Sequence, residues 1–81
     1  RNDLYKNSML VEQYNIIKKE DFSGKVITRI RYRKQSAEST IEFIDNKTLL
    51  VRFLEPEWSI APGQTAAFYN GDILLGGGFI K

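Results

Sequence analysis

Residues 37–54 read Ala-Glu-Ser-Thr-Ile-Glu-Phe-Ile-Asp-Asn-Lys-Thr-Leu-Leu-Val-Arg-Phe-Leu. The period of this stretch is two. Ile41 and Phe43 alternate with Glu38, Thr40 and Glu42. After the turn formers Asp45-Asn46-Lys47, the residues Leu49, Val51 and Phe53 point one way and Thr48 and Arg52 the other. Successive side chains of a strand face opposite sides, so each segment has one apolar and one polar face. Two such strands across a short polar turn predict a hairpin.

The same period extends outward. Lys25 to Lys34 sets Val26, Thr28, Ile30 and Tyr32 on one face and Ile27, Arg29, Arg31 and Arg33 on the other. Ser8 to Ile16, with Met9, Leu10, Val11, Tyr14 and Ile16, reads as a first strand, and Lys18 to Gly24 as a polar connection. Downstream, Glu55-Pro56-Glu57-Trp58-Ser59 breaks the alternation, because Pro56 lacks an amide donor and is out of place in a central strand. Pro62-Gly63 suits a type II turn. Thr65 to Tyr69 and Asp72 to Leu75 flank Asn70-Gly71, a type I′ hairpin signal. Gly76-Gly77-Gly78 then permits a bend or a close backbone approach, and Phe79-Ile80 closes on the core. Six short strands without a helix predict an all-β fold, a small six-stranded antiparallel β-barrel. Closure removes the edges that an open sheet must protect.

Composition sets the bounds. Eighty-one residues hold one domain, and a hydrophobic fraction of 42% suffices for a small core. The sequence has no Cys and no His. Disulfides, thiolate nucleophiles, imidazole or thiolate zinc sites and Ser-His-Asp or Cys-His catalysis are therefore excluded within this chain. No apolar run approaches the length of a membrane helix. The first residues, Arg1-Asn2-Asp3-Leu4, carry neither an initiator Met nor a signal-peptide pattern, and the chain reads as a piece of a longer polypeptide.

Charge is unevenly spread. Residues 1–40 hold nine Lys/Arg against five Asp/Glu, and residues 41–81 hold three against five. Between Phe22 and Ala37 there is no acidic residue, but there are Lys25, Arg29, Arg31, Arg33 and Lys34. On an extended strand, Arg29, Arg31 and Arg33 form a row spaced roughly 6.5–7 Å apart. Guanidiniums in such a row suit phosphate, whose oxygens they bind in pairs. The alternative is a solvated face with cross-strand ion pairs to Glu38 or Glu42.

Other candidates carry less. The glycine run lacks the Gly-Lys-Ser/Thr and helix of a phosphate loop. Glu55, Glu57 and Asp72 fall at expected loop or turn positions with no His or metal-ligand spacing around them. Ser8, Ser36, Ser39 and Ser59 have no candidate base. Trp58 either plugs one barrel end or offers a stacking surface.

Ile30-Arg31-Tyr32-Arg33, then Ala61-Pro62-Gly63-Gln64-Thr65-Ala66-Ala67-Phe68-Tyr69-Asn70-Gly71-Asp72 and Leu75-Gly76-Gly77-Gly78, resemble the C-terminal domain of the bacterial tRNA-specific 2-thiouridylases. Asn2-Asp3-Leu4-Tyr5 and Val11-Glu12-Gln13-Tyr14-Asn15-Ile16 resemble its entry strand, so the likeness spans nearly the whole chain. It implies that residues 1–81 are that terminal β-barrel, similar to domain 2 of elongation factor Tu. It implies a parent enzyme, cytoplasmic and not membrane-bound, that thiolates the tRNA wobble uridine by ATP-dependent adenylation and cysteine persulfide chemistry. ATP with Mg and the catalytic cysteines would belong to the parent's N-terminal domain, outside this chain, so no catalytic, cofactor-binding or metal residue is expected here. The expected partner is tRNA, held by Arg29, Arg31, Arg33 and Lys34, with Lys25 as an outlying contributor. Two other roles are a structural module packed on the catalytic and central domains, and a docking site for a sulfur-relay protein.

Overall fold

A computed structural model of the chain describes residues 5–30, 36–58 and 61–81, with side chains described for 7–30, 36–55 and 61–81. Six strands form among these residues: β1 (Tyr5–Ile16), β2 (Val26–Ile30), β3 (Ser36–Phe43), β4 (Thr48–Trp58), β5 (Thr65–Asn70) and β6 (Ile73–Ile80). Every pairing is antiparallel, and the order β1-β4-β3-β2-β5-β6 returns to β1, closing the barrel. The predicted fold class is therefore the observed one.

The β3–β4 hairpin has the expected register. Phe43 faces Leu49, Ile41 faces Val51, and Ser39 faces Phe53. Asp45 fixes its turn, with one carboxylate oxygen accepting from the backbone amides of Lys47 and Thr48 at 2.8 Å each. Those two amides, helped by the nearby Lys47 charge, hold the Asp45 carboxyl below its ordinary value of 3.8.

Inward residues of all six strands meet in one core. Val11, Leu49, Val51 and Phe68 are fully enclosed, each contributing about 1.5–3 kcal/mol of transfer free energy. Two polar side chains enter this core, and they satisfy each other. Thr28 Oγ1 lies 2.5 Å from Ser39 Oγ, which also approaches the Val26 and Ala37 carbonyls at 3.3 Å. Ser39 is thus a core hydroxyl with its hydrogen bonds made.

Several expectations need correction. The Lys18–Gly24 connection is not wholly polar, nor without helical structure. Lys19–Phe22 form one 3₁₀ turn that drives Phe22 into the core. Its ring packs edge-on against Phe43 and Phe68, with centroids 5.8 and 5.7 Å away. Charged neighbours conceal it in the sequence.

Strand β4 does not end at Leu54 but runs on through Pro56 to Trp58, so Glu55 and Glu57 are strand residues. Pro56 is tolerated because the β1–β4 register slips there. Lys6 faces Glu57 while Ser8 already faces Arg52, so Pro56 falls inside the irregularity. The Trp58 side chain, and hence its expected plugging role, lies outside the described residues.

The β5–β6 turn is Gly71-Asp72, not Asn70-Gly71. Asn70 pairs with Ile73, and in this turn only Gly71 has positive φ, at 61°. A lone left-handed residue at the first corner is the type II′ pattern. The Pro62-Gly63 turn is as read: Gly63 sits at φ 89° and the Gln64 amide donates to the Ala61 carbonyl. Phe79 is half exposed, and Ile80 alone of the last pair is buried.

Candidate nucleic-acid interface

The outer face of β2 lies between β3 and β5. Arg29 is opposite Ser36 on one side and Ala67 on the other, while Ile27 is opposite Glu38 and Tyr69. The β2 alternation is as predicted. Val26, Thr28 and Ile30 are buried, Ile27 is half-buried, and Arg29 is exposed.

Arg29 is held in place. Its Nε donates to Ser36 Oγ at 3.0 Å, and its guanidinium carbon stands 5.6 Å from the Tyr69 ring centre. That hydrogen bond uses one of five guanidinium donors and leaves the terminal amino groups for an anion. Among the described residues, no carboxylate pairs with Arg29.

The carboxylates considered as cross-strand partners go elsewhere. Glu42 accepts from Arg52 at 2.9 Å, and Glu38 lies 4.0 Å from Lys25 Nζ. Both pairs are well exposed, so each contributes little to stability. Lys25 immediately precedes β2 instead of lying within it, and its charge is partly offset by Glu38. Arg31, Arg33 and Lys34 lie outside the described residues.

Two neighbours of this site were missed in the sequence, Tyr69 and Ser36. A signal for Tyr69 was present: Phe68 and Tyr69 are adjacent on a strand, so one of them must face outward. Asp72 sits nearby in the β5–β6 turn, and Arg29, Tyr69, Ser36, Ile27 and Gly71 join it around a recess of about 190 Å³. Among the described residues no group of three His, Cys, Asp or Glu could hold a metal ion.

A second surface feature lies beyond β5, over the glycine run of β6. A groove of about 500 Å³ is floored by Gly76–Gly78 and flanked by Ile17, Leu74 and Phe79. These three side chains are 74%, 50% and 44% exposed.

The family described as the aminomethyltransferase beta-barrel domain matches residues 6–80. The chain belongs to this family. Individual relatives agree with the resemblance read from residues 30–33 and 61–78. The tRNA-specific 2-thiouridylase MnmA of Shewanella oneidensis is 40% identical over 79 residues, covering 95% of this chain and 21% of the relative. MnmA 3 of Phocaeicola vulgatus is 46% identical over 74 residues, or 89% and 20%. MnmA of Neisseria meningitidis serogroup C is 34% identical over 79 residues, or 96% and 22%. The beta-barrel domain thus spans about a fifth of the length of the curated relatives it matches. No helix among its described residues is long and apolar enough to cross a membrane.

Proposed function

We propose that this beta-barrel domain is a non-catalytic tRNA-holding part of a tRNA 2-thiouridylase. The observation that carries the reading is the acid-free run from Phe22 to Ala37, together with Arg29 fixed on the outer face of β2 without a carboxylate partner among the described residues. Arg29, Arg31, Arg33 and Lys34 contact the RNA backbone, with Lys25 at the margin. Such contacts give affinity and orientation without reading sequence. The ATP and persulfide chemistry, with its Mg and its cysteines, belongs to the parent's other domains, and the parent works in the cytoplasm.

Titration of the 81-residue chain with tRNA tests this. Binding should weaken steeply with salt, and log K against log salt should lose about 0.7–0.9 of slope for each phosphate contact removed. Arg31→Ala with Arg33→Ala should lower tRNA affinity in the parent enzyme and leave ATP binding unchanged.

The groove over Gly76–Gly78 favours a second role alongside the first. Ile17, Leu74 and Phe79 form an apolar surface suited to packing on the rest of the polypeptide. Ile17→Gln should then lower the thermal midpoint of the parent enzyme and leave tRNA binding by the isolated chain unchanged.

A further inference from the structure

We propose that the recess between Arg29, Tyr69 and the Gly71-Asp72 turn is a subsite for a single unpaired nucleotide. The base stacks on Tyr69 and the adjoining phosphate binds Arg29. This inference rests on the RNA reading of the β2 face and adds a mode of binding to it.

The recess, at about 190 Å³, is smaller than the roughly 300 Å³ at which pockets for drug-sized ligands begin. It suits one flat ring system and not a folded ligand. Tyr rings and Arg guanidiniums are side chains on which splayed-out RNA bases are held, because every base presents a π-face. Here both are pre-positioned. Arg29 is tied to Ser36 at 3.0 Å and stands 5.6 Å from the Tyr69 ring. Tyr69 is flanked across the ladder by Ile27 on β2 and Leu74 on β6. Neither group must be ordered afresh when the ligand arrives.

The two charges of the recess have different tasks. Arg29 attracts a phosphate. Asp72, which also lines the recess, repels phosphate and accepts hydrogen bonds only. A base edge rich in donors fits there, and guanine presents an imino and an amino donor side by side. A base paired in a duplex offers neither its face nor that edge, so the ligand is a nucleotide in a loop, bulge or single strand.

The test uses the 81-residue chain and a short single-stranded RNA carrying 2-aminopurine, a fluorescent base that keeps the amino group of guanine. Binding should quench its fluorescence. Tyr69→Phe should preserve the quench. Tyr69→Leu should abolish it and weaken binding about tenfold, with the salt slope unchanged because no charge is lost. Asp72→Asn should narrow the preference for guanosine over uridine at the probed position. Far-UV circular dichroism of each variant checks the fold, and the wild-type quench tests the subsite without any variant. Binding without quenching in the wild type, or equal affinity for a folded Tyr69→Leu, overturns the subsite and leaves the basic-face reading standing. No binding to the RNA or to tRNA at low salt overturns both.

Discussion

The β2 face and the β6 seam stand on the same barrel and are built in opposite ways. On β2 the ladder is regular, Val26 facing Ser39 through to Arg29 facing Ser36, and long side chains project outward. On β6 the backbone itself makes the surface. A Cβ added at Gly76 would lie 2.5 Å from the Asn15 carbonyl oxygen, and one at Gly77 would lie 2.6 Å from that of Ala66. The strands on either side come too close for any side chain. The difference separates two tasks: the seam closes the barrel, and the regular face is free to carry charge without straining the fold.

The comparison breaks most sharply at the seam. Gly76→Ala adds a clash with backbone at a residue whose φ is 154°. It should cost about 3 kcal/mol or more, a large part of the roughly 4–12 kcal/mol expected of a chain this size. Urea denaturation followed by circular dichroism should show the loss, and a near-wild-type midpoint would refute the role of the seam.

On the other face the effects should fall on binding and spare stability. Arg29→Ala should weaken tRNA binding about five- to tenfold, while stability stays within about 0.5 kcal/mol of wild type. Lys25→Ala should weaken binding only about two- to threefold, since Glu38 already offsets its charge. Parallel titrations of the two variants give the ratio.

The smallest effect lies away from both regions, at the β3–β4 turn. The Asp45 carboxyl is held below its ordinary value by two backbone amides. Its contribution is present above the unfolded value and is lost as pH falls through the lower folded one. Asp45→Ala should therefore flatten the fall of thermal midpoint with pH below about pH 4, and an unchanged pH profile would contradict it.

The same contrast explains what the sequence discloses. Strands β2, β3 and β4 alternate strictly wherever the ladder is regular, so their inward and outward residues could be read directly. The seam could not be read that way, because bulges reset the phase. Met9 and Val11 face inward, yet Tyr14 and Ile16 pack on the core as well, two positions of opposite parity. The change occurs where Glu12 faces Phe79 and Asn15 faces Gly77, with Gln13 at a left-handed φ of 53°. On β6 a second slip between Phe68 and Tyr69 turns Leu75 into the core beside an exposed Leu74. Phe22 escaped for another reason: a single buried ring among Lys, Glu and Asp has no period. In the candidate site, the outward position of Arg29 was legible from the alternation of β2. The placement of Ser36 and Tyr69 beside Arg29 was not, because it depends on which strands flank β2.

A basic face of this barrel that holds tRNA by its phosphates must bind in a salt-dependent way. The most direct measurement is the affinity of the 81-residue chain for tRNA across a salt series. Binding at low salt should fall steeply as salt rises, with a shallower slope for Arg29→Ala. Binding that ignores salt, or no binding at low salt, would contradict it.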